Sequence, residues 1–253
     1  MRSQILHISD LHLLADPEGQ VLGVSTWERF EQVLGLVREQ YADCSRMVIT
    51  GDLAQDELRE TYVRLSDRLG ELLERCLVLP GNHDDRGSLV EIFGGSTLTD
   101  DGQMAFDVQS GDWRLIGLDT HDVGKTSGRL TDAQLSWLDS ALARDPERPT
   151  IVFLHHPPVP IVSSWLDKIG LTQPERFMEI VGRAPQARVA AVGHIHQEFV
   201  AQVSGILVVS APSTAFQFRP RTHNMQLDSL TPGFRVYELD ELALSTYVVR
   251  LPD

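Results

Sequence analysis

Residues 150–158 read TIVFLHHPP. The first five are mostly β-branched or aromatic and too few for a helix, so they predict a short buried strand. The apolar run stops at two histidines and two prolines, and proline has no N–H with which to continue a ladder. The same pattern recurs outward along the chain. QILHIS (4–9) runs into Asp10-Leu11-His12, and RMVIT (46–50) into Gly51-Asp52. CLVL (76–79) precedes Gly81-Asn82-His83-Asp84, and RVAAV (188–192) precedes Gly193-His194-Ile195-His196. Short apolar strands that each end in a polar cluster predict an α/β fold. In such folds ligands gather at the carboxyl ends of the strands, so these clusters can converge.

Helix-period segments separate the early strands, as βαβ units require. Ser25-Thr26-Trp27-Glu28 is a capping-box pattern, followed by Phe30, Val33, Leu34 and Val37 at helical spacing. Leu58, Tyr62, Leu65, Leu69 and Leu72 predict the next helix. Thr131-Asp132-Ala133-Gln134 opens another through Leu135, Leu138 and Leu142, and a further helix is expected near 174–182. Residues 103–108 and 112–118 predict a strand pair around Gly111. The C-terminal part is β-rich, with strands expected at 198–203, 206–210, 233–239 and 244–250. Between them, 211–232 is long, polar and proline-containing, which suits a functional loop. No shift in composition marks a boundary, so one α/β domain over 1–253 is expected.

At 253 residues and 42% hydrophobic, the chain can bury a sizeable core. Its 22 basic residues against 36 acidic ones leave a net charge of −14, and no basic run of five occurs. Such a surface repels nucleic-acid polymers and anionic membranes, but it does not exclude a small phosphate-bearing molecule. Bound cations would reverse the field locally. Cys44 and Cys76 show no metal-type spacing, so two free thiols are the plainer reading. No apolar run reaches membrane-spanning length, and MRSQILHISDLH lacks the apolar core of a signal peptide. A cytoplasmic location is expected.

The polar clusters carry Asp, His and Asn without thiolate, a donor set suited to Mn, Fe, Zn or similar divalent ions. Asp10 with His12, and His194 with His196, are alternate residues that an extended chain points to one side. Singly, Asp-x-His or Gly-Asp is usually a turn or a helix cap. The ordered set carries the functional reading.

That set, DxH, GD, GNHD, H and GHxH between residues 10 and 196, resembles the calcineurin-like metallophosphoesterase superfamily. Together with HHPP, the segments Ser213–Phe218 and Thr231–Arg235 resemble bacterial class III 3′,5′-cyclic AMP phosphodiesterases. The resemblance implies a four-layer αββα sandwich of two mixed sheets flanked by helices. It also implies two transition-metal ions per chain, Fe, Mn or Zn. One would take Asp10, His12 and His196; the other would take Asn82, His155 and His194, with Asp52 bridging. His155 is preferred to His156 as the first histidine after the strand. The implied substrate-binding residues are Asn82, His83 and His196. His83 would act on the charged or leaving oxygen, with Asp84 orienting it.

The implied reaction is hydrolysis of cyclic AMP to 5′-AMP by a hydroxide bridging two metals ~3.5–4 Å apart. A glycerophosphodiesterase or a broad small-molecule phosphodiesterase is the alternative. A non-catalytic scaffold of the same fold and a DNA-processing nuclease are disfavoured, by the intact ligand set and by the acidity. Related enzymes include dimers and monomers, which leaves a homodimer open.

Other aromatic and histidine residues have plainer readings beside functional ones. His7 is expected as a hydrogen-bonded core residue. His156 would support the ligands, and His121 would either border the cleft or lie on the surface. His223, with Arg219 and Arg221, reads as solvated loop charge. Phe216 and Phe218 are either core or a stacking surface for a purine.

Overall fold

A computed structural model of the chain describes residues 3–94 and 97–252. The first third alternates as expected: β1 (Ser3–Ile8), α1 (Thr26–Gln40), β2 (Arg46–Thr50), α2 (Arg59–Leu69), β3 (Cys76–Leu79) and α3 (Arg86–Phe93). Next come β4 (Thr97–Leu98), β5 (Met104–Ser110), β6 (Trp113–Leu118), β7 (Gly128–Arg129) and α4 (Asp132–Arg144). β8 (Thr150–Leu154), β9 (Leu171–Thr172), α5 (Pro174–Gly182) and β10 (Ala187–Val192) follow. The rest is β: β11 (Val200–Val203), β12 (Ile206–Ser210), β13 (Gln217–Phe218), β14 (Leu227–Asp228), β15 (Gly233–Asp240) and β16 (Ala243–Arg250).

Two mixed sheets result, ordered β16-β15-β1-β2-β3 and β11-β12-β10-β8-β6-β5-β4. In the first, β1, β2 and β3 run parallel; in the second, β6, β8, β10 and β12 do. Strand alternation sorts the apolar residues into layers. Ile5, Val48, Ile151, Phe153, Val189 and Ala191 meet between the sheets. Leu6, Ile8, Met47 and Ile49 face the other way, onto Phe30, Val33 and Leu34 of α1 and Tyr62 and Leu65 of α2. Val152, Leu154, Ala190 and Val192 likewise cover Leu135 and Leu138 of α4 and Phe177 of α5. Helix, sheet, sheet, helix is the four-layer order expected. No helix among the described residues is long and apolar enough to cross a membrane.

Local differences have local causes. The stripe from Leu58 to Leu72 is broken at Gly70, whose φ of 55° ends α2, and a 3₁₀ segment (Gly70–Arg75) then buries Leu72. α1 starts after Ser25, but the serine hydroxyl makes no capping bond. Thr131 does cap α4, its Oγ1 accepting from Gln134 N at 3.1 Å. α3 is absent from the expectations above. Its Gly87 weakens the helical signal, and Asp85 caps it by accepting from Ser88 N at 2.8 Å. Within 211–232, the β13–β14 pair is only two residues per strand, too short for a periodic signal.

The five polar clusters all follow the carboxyl ends of parallel strands, three from the first sheet and two from the second. Backbone bonds lock neighbouring clusters together: Asp10 N to Gly51 O at 3.0 Å, His12 N to Asp52 O at 2.9 Å, and Gly193 N to His155 O at 3.0 Å.

Candidate metal centre

The turns leaving these strands are unusual. Asp10, His12, Asp52, His194 and His196, five of the seven candidate ligands, have positive φ, between 48° and 69°. Non-glycine residues rarely adopt that region, and strain of this kind persists only where the surroundings impose it. Gly81 and Gly193 make the close approach. A Cβ on Gly81 would lie 2.1 Å from Asp52 Oδ1, and one on Gly193 would lie 1.9 Å from Ser9 Oγ. Sharp turns and bare glycines thus fold side chains inward that would otherwise point to solvent.

All seven candidates converge. Ligand-capable atoms of Asp10, His12, Asp52 and His196 lie within 4.8 Å of one another, and all four residues are buried. Asp52 reaches both groups, with Oδ2 3.7 Å from His12 Nε2 and Oδ1 3.4 Å from His155 Nε2. Asp10 spans the sheets: its Oδ1 lies 3.4 Å from His196 Nε2, and both its oxygens accept from His194 N at 3.0 Å.

Hydrogen bonds on the far side of each ring decide where its lone pair points. His155 Nδ1–H donates to Thr50 O (2.5 Å), and His196 Nδ1–H donates to Phe216 O (2.8 Å). His12 Nδ1 meets Gln55 Oε1 at 2.8 Å. The Nε2 atoms of His12 and His196 then face each other at 3.0 Å, two lone pairs with no proton between them. His155 Nε2, His194 Nε2 and Asn82 Oδ1 are buried with no hydrogen-bond partner. Buried polar atoms left unpartnered on this scale are costly in a core, and a cation is the group that satisfies them. The residues fit two metal ions.

The geometric cluster His155–His156–His194 puts His156 beside these ligands. Its nitrogens are already engaged, Nδ1 with Thr120 Oγ1 (2.7 Å) and Nε2 with Thr126 O (3.3 Å). These bonds leave His156 beside the candidate ligands and not among them.

One expectation is corrected. Asp84 does not orient His83. Its buried carboxylate accepts from Leu53 N (3.0 Å), Ala54 N (3.1 Å), Gly81 N (2.8 Å) and Tyr62 OH (3.1 Å), which ties the Gly51-Asp52 turn to the Gly81 turn. The group on the His83 ring is Gln55, whose Nε2 lies 3.2 Å from His83 Nδ1. Gln55 has no motif around it; three residues beyond Asp52, it is legible only once the turn is folded. Ser213, which opens the Ser213–Phe218 segment, ties that segment to the first motif, its Oγ donating to Asp10 O at 2.7 Å and accepting from Ala215 N at 2.9 Å.

Of the remaining residues, His7 is buried between Tyr237 OH (3.1 Å) and Thr50 Oγ1 (2.7 Å), a core histidine. His121 borders a cavity beside His83. Arg219, Arg221 and His223 are exposed. Phe216 and Phe218 are buried and lie against ligand imidazoles, Phe216 to His12 at 5.4 Å and Phe218 to His196 at 4.4 Å between centroids. Cys44 and Cys76 are free thiols.

Burial dominates the electrostatics. It pushes Asp10 up to about 7 and depresses His12 to about 4 and His194 to about 3. Burial also opposes charge on His155 and Asp52, but here their mutual attraction wins. His155 is raised to about 9, and Asp52 is held well below the usual carboxylate range. Stripped of cations, the centre keeps one ion pair, and most of its other acceptors stay uncompensated.

This fold and this donor geometry define a dinuclear metallophosphoesterase. The chain belongs to the calcineurin-like phosphoesterase family, whose profile matches residues 3–198. It is 35% identical over 249 residues to the 3′,5′-cyclic adenosine monophosphate phosphodiesterase CpdA of Vibrio vulnificus, covering 98% of this chain and 90% of that one. It is also 35% identical to CpdA of Escherichia coli K12, covering 100% and 91%. A dimetal phosphatase from Danio rerio shares the fold, with a TM-score of 0.69 at 16% identity over 96% of this chain and 98% of that one.

Proposed function

We propose that this chain hydrolyses 3′,5′-cyclic AMP to 5′-AMP. The observation that carries the reading is the nest of buried polar atoms without hydrogen-bond partners at Asn82, His155 and His194, beside the facing nitrogens of His12 and His196. It lies in a chain similar over nearly its whole length to enzymes named for that reaction. One cation would be held by Asp10, His12 and His196, the other by Asn82, His155 and His194, with Asp52 between them. Imidazole, carboxylate and amide donors support Fe, Mn or Zn. When bound, such a pair activates a water and places positive charge against the phosphoryl oxygens.

The chain's own groups do the rest. Asn82, His83 and His196 flank the phosphate. Gln55 donates Nε2–H to His83 Nδ1, which leaves the His83 proton on Nε2, and the ring lines the cleft. That N–H donates a hydrogen bond to a phosphoryl oxygen or to the ribose 3′-oxygen and stabilises its charge as the P–O3′ bond breaks and water's oxygen joins phosphorus; the proton lost by the attacking water balances the one gained by the 3′-oxygen. A cytoplasmic site of action is supported by the two unpaired cysteines.

A glycerophosphodiester is the second reading. A cavity of about 830 Å³ with Glu57, Asp85, Arg86 and Lys125 among its lining residues adjoins His83 and has room for a hydroxylic second substituent. Metal content and kcat/KM for cyclic AMP, 2′,3′-cyclic nucleotides and glycerophosphodiesters, measured on one preparation, test both readings. About two ions per chain with cyclic AMP as the best substrate is expected. A much higher rate on a glycerophosphodiester reverses the assignment.

A further inference from the structure

The cleft divides at Asn82, His83 and Thr126, which line two cavities that differ in their charged residues. One is the cavity described above, with acidic and basic groups in its lining. The other, of about 300 Å³, opens onto His12, Asp52, His194 and His196, and its outer wall is apolar. Segments far apart in sequence build that wall: Leu22 ahead of α1, Trp165 and Ile169 after β8, and Phe218 and Met225 within 211–232. Leu22 and Met225 are 49% and 51% exposed. Large apolar groups held open to water beside a polar centre mark a ligand contact.

Trp165 is immobilised rather than loose. Its Nε1–H reaches Thr222 Oγ1 at 3.3 Å, and Phe218 abuts the indole edge-to-face, with centroids 4.9 Å apart and planes at 82°. A fixed indole offers a flat surface to an aromatic ring. Polar partners for a ring edge are nearly missing. Apart from the candidate ligands and His83, the polar side chains lining this cavity are Gln55 and Thr126. Gln55 has both ends of its amide committed, to His12 and to His83. The Trp165 N–H is already spent on Thr222.

We infer that this apolar wall seats the nucleobase of the substrate, and that it recognises ring area and apolarity, not the hydrogen-bonding edge. The inference rests on the cyclic-nucleotide reading above. Its consequence is quantitative. Sites that hydrogen-bond a substrate group reject analogues lacking it by about 10⁴–10⁵, whereas apolar pockets separate near-isosteres by only about 10–200-fold. Adenine and guanine have nearly the same ring area, so this wall separates them weakly. Pyrimidines cover less of it.

The test compares kcat/KM for cyclic AMP, cyclic GMP, cyclic CMP and a base-less analogue, 1-deoxyribose 3,5-cyclic phosphate. The two purines are expected within about 100-fold of each other. Cyclic CMP should be slower than both, and the base-less analogue slowest, by about 5–150-fold relative to the purines. Trp165→Ala should lower both purine values about tenfold, toward the base-less rate, and Trp165→Phe should restore most of the loss. Leu22→Ala, at a half-exposed rim position, should lower both purines alike by about 2–5-fold. A preference of 100-fold or more between the purines overturns the inference. So does a Trp165→Ala enzyme that either leaves cyclic AMP unchanged or slows the base-less substrate equally. Turnover of a glycerophosphodiester with none of any cyclic nucleotide overturns the proposed function itself, and the base seat with it.

Discussion

Gln55 joins two imidazoles with different work. Its carbonyl end takes the Nδ1–H of His12, and its amide end holds Nδ1 of His83, so orientation at the metal centre is passed on to the hydrogen-bond donor that faces the phosphate. Gln55→Ala should therefore reduce kcat about 10–100-fold while metal analysis still finds both ions. His83→Ala should cost more, about 10²–10⁴-fold, again with metal retained. Loss of metal from the His83 variant would show that His83 has been given the wrong role. Titration of the centre adds a further expectation. In the metal-free protein His155 is raised to about 9 and Asp10 to about 7, so at pH 7 His155 carries a proton and Asp10 about half of one, which a cation must displace. Metal uptake at pH 7 should release about 1–2 protons, and affinity should rise with pH until about 9 and then level off. Calorimetry in buffers of different ionisation enthalpy measures the release; a value of zero would mean the two groups are not displaced.

At the scale of elements, the centre is made of strand ends and the turns that leave them. Gly81 packs against the Asp52 backbone and carboxylate so closely that a methyl group would sit 2.4 Å from Asp52 N. Backbone cannot give way as a flexible side chain can. Gly81→Ala should cost about 1–3 kcal/mol in denaturant unfolding and displace Asp52 enough to lower metal content. Wild-type stability with two bound ions would show the turn to be looser than its geometry. The segment 211–218 belongs to the same construction. It is buried along its length and braced on the first motif through Ser213, so it works as a fixed wall rather than a swinging lid.

At the scale of the molecule, ligands from both sheets make the centre a clasp between them, since Asp10 and Asp52 come from one sheet and His155 and His194 from the other. We expect residues 1–253 to unfold in one calorimetric transition, with chelation lowering its midpoint. Cation at about 100 times its Kd adds about 2.7 kcal/mol, a rise of roughly 5–10 °C for a chain of this size. Two separated transitions would mean that the sheets unfold independently and that the chain is not one domain.

From the order of residues alone one could read the longer strands, most helices and the polar clusters at strand ends, because each depends on local periodicity or on a short run of neighbours that the chain carries in linear form. The layered class and the choice of seven ligands were legible only through the resemblance of the ordered motifs to a known family. Folding alone decided which group holds His83, where α2 stops, that Asp84 braces turns, and which wall faces a base. Those outcomes depend on contacts such as Gln55 with His83, 28 residues apart, and Trp165 with Phe218. Such pairs meet only after β1, β2, β3, β8 and β10 have set their carboxyl ends side by side, because no local propensity encodes a distance across two sheets.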